Sequence, residues 1–230
     1  GYSRHLYEFK DEYANMPVDV QKDEEKGLYY VQKEKKRLYF RKSTPAKKIQ
    51  KYYRALSMEQ DRRSPHHYFN SVKEVTGKVF VDVGCAEGYS SLEIIEEAKH
   101  VYLFEQDEQW LEAIRATFEP WQDKVTIVQK YVSDHNSSRE QTLDDFFNNQ
   151  TDEHLFLKMD IEGAERHALA GCKNLFQNCQ KLDFAICTYH LRDDEEVISA
   201  FLNKHNCTYI NQKGFFRHRI RSVVMRGSKK

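Results

Sequence analysis

From Lys78 onward, short apolar runs alternate with stretches whose apolar residues recur every three or four positions, and few folds accept that alternation. Strands are expected at Val79–Val83, 101–104, Val125–Val128, Leu155–Met159 and 184–188. Helices are expected at 89–97, Glu108–Phe118, 143–148, 164–176 and 193–204. In Glu108–Phe118, Trp110, Leu111, Ile114 and Phe118 share one side. Strands this continuously apolar must be covered on both faces, which predicts an α/β fold with a mostly parallel sheet. Segments 207–211 and 217–225, separated by Gln212-Lys213-Gly214, read as a terminal antiparallel hairpin at the sheet edge.

Residues 1–75 lack this alternation and are charged and tyrosine-rich, so they read as an N-terminal extension to a domain spanning 76–230. Within them, 27–32 and 37–41 flank a polar turn, which suggests a β-hairpin. Thr44-Pro45 supplies a helix cap followed by proline at the first helical position, predicting a helix over 45–59. Ile49, Tyr52, Tyr53 and Leu56 fall on one face of that helix and lysines on the other. The extension is expected to act as a lid or platform. His66 and Tyr68, in the loop that follows, are placed to close a pocket.

The chain has 36 basic and 36 acidic residues, a balance that argues against a general nucleic-acid binder. Locally the balance fails: 33–63 holds 12 basic and 3 acidic residues, either a solvated face or a surface for an acidic partner. No apolar run approaches the roughly 20 residues of a membrane span, and 1–10 lacks the apolar stretch of a signal peptide. A cytoplasmic location without membrane attachment is the expectation. The five cysteines, Cys85, Cys172, Cys179, Cys187 and Cys207, show no C-x-x-C spacing, so neither a disulfide framework nor a zinc site is suggested.

The segment Asp82-Val-Gly84-Cys85-Ala-Glu87-Gly88 follows a strand and opens a helix with glycines where a backbone must turn sharply. Its spacing, D-x-G-x-x-x-G, differs from the G-x-G-x-x-G that cradles a dinucleotide pyrophosphate. S-adenosylmethionine carries no phosphate, and Asp82 offers a carboxylate to its cationic end. The next strand ends in Glu105, 21 positions after Gly84, where a carboxylate matches a ribose diol. NAD would suit Glu105 equally, and the missing central glycine counts against it. The expected cofactor-binding residues are Asp82, Gly84, Cys85, Glu87, Gly88, Tyr89, Glu105, Gln106 and Asp160.

Asp160, Glu162 and Glu165 lie within six residues at a strand-to-helix junction, the edge where open α/β sheets bind ligands. Helix capping is the ordinary explanation for Glu162 or Glu165. The fifth strand ends at His190, beside Asp160 if the fourth and fifth strands are neighbours. There an imidazole can take an alcohol proton, although a packing histidine is the commoner case. Asp160, His190 and Glu162 are therefore the candidate catalytic residues. The same three are the set that would ligate a divalent cation, with magnesium or manganese suited to oxygen-rich ligation.

The loop at 82–88, the stretch Leu157-Lys-Met-Asp160-Ile-Glu162-Gly-Ala-Glu165 and Thr188-Tyr-His190, in this order and spacing, resemble the FkbM family of methyltransferases. The resemblance covers about 80–225, and its specific part is K-x-D-x-E-G-A-E. It implies a Rossmann-like class I methyltransferase fold with a seven-stranded sheet, S-adenosylmethionine as donor, and O-methylation of a hydroxyl on a sugar, glycan or small-molecule natural product. Cys85 and Glu87 depart from the small or amide residues frequent in that family. Two alternatives are a nucleic-acid (RNA) methyltransferase, suggested by 33–63, and a cofactor-binding scaffold without catalysis. The absence of an N-P-P-Y-like tetrapeptide speaks against the first, and the presence of Asp160, Glu162 and His190 against the second.

Overall fold

A computed structural model describes residues 7–148, 152–216 and 219–229. The N-terminal segment begins with α1 (Lys10–Ala14) and an antiparallel sheet of β1 (Val20–Asp23), β2 (Leu28–Lys33) and β3 (Lys36–Tyr39). The β2–β3 hairpin is the expected one. β1 is an addition: Val-Gln-Lys-Asp carries a single apolar residue and gives no strand signal, yet it pairs along β2 with Val20 opposite Val31. α2 (Ala46–Glu59) then starts one residue later than expected. Pro45, in extended conformation, occupies the cap position, and no side chain caps this helix, so the cap expected of Thr44 is not made. Ile49 is fully buried, with Tyr52, Tyr53 and Leu56 packed against the same core, while Lys47, Lys48 and Lys51 face outward.

The remaining elements alternate as the sequence predicts. They are β4 (Val79–Val83), α3 (Tyr89–Ile94), β5 (His100–Phe104), α4 (Glu108–Phe118) and β6 (Val125–Val128). A two-residue pair, β7 (Tyr131–Val132) and β8 (Glu140–Gln141), precedes α5 (Leu143–Phe146). There follow β9 (Leu155–Met159), α6 (Glu165–Ala170), α7 (Lys173–Asn178), β10 (Leu182–Cys187), α8 (Asp194–Lys204), β11 (Cys207–Phe216) and β12 (Arg219–Lys229). The seven-stranded sheet runs β11-β12-β10-β9-β4-β5-β6; β12 is antiparallel to β10 and β11, and the other pairings are parallel. From β4 the chain winds one way to β5 and β6, then resumes on the other side with β9 and β10. The switch point therefore lies between the carboxyl ends of β4 and β9, where such sheets leave a crevice.

Residue alternation along the strands separates two cores. Phe80, Leu103, Phe156 and Cys187 face a cluster shared with α3, α4 and the N-terminal segment, including Leu28, Leu38, Phe40 and Ile49. Val81, Val83, Leu157, Met159 and Ile186 face the opposite cluster, built with Ala168, Leu175, Phe176, Ile198 and Leu202. Residues before position 76 thus pack directly on one face of the sheet, and Thr117 Oγ1 on α4 accepts the backbone N–H of Tyr39 at 3.0 Å.

Several expected boundaries shift: α3 ends at Ile94 rather than 97, α5 at Phe146 rather than 148, and β10 spans Leu182–Cys187 rather than 184–188, while two further changes have a visible cause. The single helix over 164–176 is broken into α6 and α7, because the Gly171 backbone lies against Ser133, where a Cβ would sit 1.9 Å from the carbonyl oxygen. Gln212-Lys213-Gly214 is not a turn but lies inside β11, with a register shift between Gln212 and Lys213. Gly214 is there for close approach: a Cβ would meet Pro65 Cγ at 2.3 Å. Arg217 and His218 of the expected strand and residues 1–6 of the expected extension lie outside the described residues. Among the described residues all five cysteines are free, and no helix is long and apolar enough to cross a membrane.

Candidate functional site

β4 delivers Asp82 and then Gly84 to the switch point. Gly84 has φ +78° and passes so close to β9 that a Cβ would fall 2.2 Å from the Asp160 carbonyl oxygen. Only glycine fits this position. Gly88, at φ +80°, opens α3 with its Cα turned toward the Phe118 ring, 2.7 Å from where a Cβ would stand. Between them Ala86 is also left-handed, at φ +47°.

This backbone presents the Ala86 N–H to Glu105 Oε2 at 3.1 Å, while the Asp107 N–H donates to Glu105 Oε1 at 2.8 Å. Each carboxylate oxygen of Glu105 accepts one backbone hydrogen bond and keeps a lone pair for another donor. Burial pushes the Glu105 carboxyl above its ordinary value, against the backbone N–H groups of Asp107, Ala86 and Gln106. Gln106 is half-buried next to it.

Several predicted residues turn their side chains elsewhere. Asp82 and Lys158 are cross-strand partners on β4 and β9. Their ion pair, 2.8 Å, is buried, and Ser91 Oγ donates to the other Asp82 oxygen at 2.6 Å. Lys158 also donates to the Gly84 carbonyl at 2.7 Å, tying strand to loop. Burial alone would depress the Lys158 ammonium, but Asp82 and Asp160 outweigh it and hold it above the usual lysine range. Glu87 is buried and accepts from Tyr52 of α2 at 2.7 Å. Desolvation raises its carboxyl to about 7. Tyr89 points its hydroxyl to Lys33, 2.8 Å, and Ser57, 3.3 Å. Cys85 is buried, with its thiol pushed well up by desolvation.

Asp160, just past β9, gathers side chains from three parts of the chain. Tyr68 donates to Oδ2 at 2.6 Å, His66 Nε2 lies 3.8 Å from the same oxygen, and His190 Nε2 lies 3.4 Å from Oδ1. The pairing of β9 with β10 is what brings Asp160 and His190 together. Desolvation would raise the Asp160 carboxyl, but His66, Lys158, His190 and the Tyr68 hydrogen bond bring it below its ordinary value. His190 is fixed from behind by Glu165, whose Oε1 stands 2.9 Å from Nδ1. Burial lowers the imidazole pKa, but Glu165, Asp160 and Glu162 oppose and outweigh it, so the net shift is upward. His66 contacts the Tyr189 hydroxyl at 3.0 Å and, being buried, is driven down to about 4.

The loop 161–163 folds around Glu165. Glu162 and Gly163 are both left-handed, φ +55° and +105°, which aims the Ile161 and Gly163 N–H groups at the Glu165 carboxylate, 2.8 and 3.0 Å away. Glu165 is fully buried in this role, while the Glu162 side chain is 92% exposed and reaches His190 Nε2 only at 3.7 Å. Ligand atoms of Asp160, Glu165 and His190 lie close enough to share a cation, as do those of His66, Asp160 and Cys187. Neither group contains Glu162 of the expected cation set. Lys158 and Tyr189 were not anticipated. A lysine inside an otherwise apolar strand was the signal for Lys158, since a buried ammonium requires a counter-ion and Asp82 was the matching anomaly.

Residues 129–210 match the family described as the methyltransferase FkbM domain. No curated protein matches the chain. Among solved structures, methyltransferase FkbM from Methylobacillus flagellatus KT superposes with a TM-score of 0.53 at 20% identity, covering 66% of this chain and 43% of that one. The chain therefore spans less than half the length of that relative. Magnesium protoporphyrin IX methyltransferase from Synechocystis PCC 6803, solved with bound S-adenosylmethionine, gives a TM-score of 0.50 at 13% identity over 82% of this chain and 86% of its own. At these identities the likeness is one of fold: a Rossmann-like methyltransferase fold.

Proposed function

On the premise that residues 129–210 match the methyltransferase FkbM domain, we propose that this chain is an S-adenosylmethionine-dependent O-methyltransferase acting on a hydroxyl of a glycan or small-molecule acceptor. The observation that carries the reading is the meeting of Glu105, Gly84 and the Asp160–His190 pair at one switch point.

The residues fit the cofactor. Glu105 retains one acceptor position on each oxygen, as a vicinal diol requires, and the Gly84–Asp160 backbone contact fixes the wall between β4 and β9. Glu105, Gln106, the 84–88 backbone and Asp160 would hold it, and bound S-adenosylmethionine supplies an already activated methyl group. Asp82, Glu87 and Tyr89 support this loop through Lys158, Tyr52 and Lys33.

What the chain adds is position and a proton acceptor. Glu165 Oε1, 2.9 Å from Nδ1, favours the proton on that nitrogen, so the neutral His190 ring carries its lone pair on Nε2, the atom that faces Asp160. His190 Nε2 removes the acceptor hydroxyl proton, and Asp160, held by Tyr68, stabilises the resulting imidazolium. His66 and Tyr68 close the site from the N-terminal segment, which we propose acts as its lid. A divalent cation is not needed for this scheme, and Asp160, Glu165 and His190 are the residues that would hold one.

The test is binding and turnover of labelled S-adenosylmethionine with hydroxylated acceptors. Glu105→Ala is expected to weaken cofactor binding by at least about tenfold, through loss of two charge-assisted hydrogen bonds. His190→Ala is expected to lower kcat by about 10² to 10⁴-fold with cofactor affinity unchanged. The wild-type rate should climb with pH through a value above 6.5, because the raised His190 must lose its proton to act as base. Unchanged kcat in His190→Ala overturns the mechanism, and unchanged cofactor binding in Glu105→Ala overturns the site.

A further inference from the structure

A cavity of about 560 Å³ lies beside the segment that carries His66 and Tyr68, lined by the flanking Gln60, Phe69 and Asn70, and neither Glu105, Asp160 nor His190 lines it. Its walls come from α1, the last turn of α2, residues 61–63 and 69–72, and the first turns of α3. Half-buried Tyr13 borders it, with the edges of the largely buried Phe69 and Tyr89; the Lys33 ammonium already covers the Tyr89 ring. Its volume lies within the range of small-molecule sites.

The polar groups of the cavity divide by whether the protein already answers them. Arg63 is held by Glu12 and Asp61, Asp61 also takes the Tyr13 hydroxyl, and Glu93 faces Lys33 at 4.0 Å. The adjacent Arg62 is exposed, and no described residue forms a hydrogen bond or ion pair with it. Asn70 accepts from Arg226 through Oδ1, which turns its Nδ2 donor away from that contact. Ser57 Oγ accepts from Tyr89 and keeps its own O–H to donate. Ser71 Oγ accepts from the Lys73 N–H and likewise keeps its O–H, so what remains is one cation and three neutral donors beside the Tyr13 ring. Such a lining suits a ligand with a negative charge, several acceptor oxygens and an apolar C–H face.

We propose that this cavity binds an acidic sugar, a single ring bearing hydroxyls and one carboxylate or phosphate. The carboxylate or phosphate pairs with Arg62, ring hydroxyls accept from Ser57, Asn70 and Ser71, and the C–H face lies against Tyr13. Gln60 connects the cavity to the candidate active site: its Oε1 accepts the Tyr68 N–H at 3.3 Å and its Nε2 donates to the His66 carbonyl at 3.4 Å. A sugar seated against Gln60 and Phe69 therefore braces the loop that sets Tyr68 on Asp160. The binding itself does not depend on methyl transfer.

The experiment is calorimetric titration of the full chain, without cofactor, with glucuronic acid, glucose 6-phosphate, glucose and inorganic phosphate. Saturable binding of glucuronic acid or glucose 6-phosphate is expected, at least about tenfold tighter than glucose or phosphate, since a charge-assisted bond and the ring contacts act together. A carboxylate source is indicated if glucuronic acid is the tighter of the two, and a phosphate source if glucose 6-phosphate is. Arg62→Ala, an exposed position, should weaken that binding about tenfold without changing Tm, and Lys47→Ala on the outer face of α2 should leave it unchanged. The proposal is overturned if neither acidic sugar saturates, if inorganic phosphate binds as tightly, or if Arg62→Ala has no effect.

Discussion

Asp82 and Asp160 stand at the carboxyl ends of neighbouring strands and live in opposite circumstances. Asp82 is inside the register of β4, 1% exposed, and receives both a lysine from β9 and a serine from α3. Asp160 lies one residue beyond β9, its side chain is 17% exposed, and one oxygen is taken by Tyr68 while the other faces His190 at 3.4 Å, longer than a tight hydrogen bond. A carboxylate within the strand is answered by its cross-strand partner; one just past the strand's end is answered by loops and left turned toward the crevice. The first holds the frame, and the second is the one the proposed mechanism uses. Asp82→Ala would leave Lys158 buried without its counter-ion, so a stability loss of about 3 to 5 kcal/mol is expected in urea unfolding. Asp160→Asn keeps an acceptor for Tyr68 and should cost less than half as much, its main effect falling on turnover. Equal losses in the two variants would break the distinction.

The two histidines beside Asp160 extend the same contrast. His66 is buried and neutral, with its pKa near 4 against about 6.5 in an unfolded chain. Between those values the unfolded state binds a proton that the folded state refuses, so stability falls as pH drops from about 6.5 to 4. By linkage the window corresponds to roughly 3 kcal/mol at its acid end. His190 is raised, so its contribution has the opposite sign: it is present below about 6.5 and fades as pH climbs through the folded value. His66→Gln should therefore flatten the acid limb of a stability–pH profile measured by urea midpoint. An acid limb as steep as wild type would show that His66 is not the neutral partner in the pair.

How far these positions could be read in advance depended on what fixed each one. The βα alternation is local periodicity, and β4, β6, α4 and β9 fall on the expected residues. Asp160 and His190 were legible because they follow β9 and β10 by one and three residues, and only the adjacency of the two strands remained to be found. The orientation of Asp82, Glu87 and Tyr89 was not legible, because their partners Lys158, Tyr52 and Lys33 lie 76, 35 and 56 positions away and are brought close by packing alone. β1 escaped for another reason: its stability comes from pairing with β2, and its own residues carry almost no strand preference. The break between α6 and α7 follows from Gly171 touching Ser133, a tertiary contact that no helical pattern announces.

Glu162 gives the smallest expected effect and tests how narrowly the available carboxylates are defined. It sits within three residues of both Asp160 and Glu165, so sequence proximity alone would place all three in one catalytic group. Its backbone is left-handed and serves the turn around Glu165, while its side chain is 92% exposed and 3.7 Å from His190 Nε2. At that exposure solvent screens its charge, so its pairing with the buried His190 contributes little. Glu162→Gln is therefore expected to change stability by no more than about 0.5 kcal/mol and kcat by less than about tenfold. The two measurements are urea unfolding and steady-state turnover of labelled cofactor. A kcat loss as large as that of His190→Ala would move Glu162 into the reacting group and show that substrate draws its side chain inward.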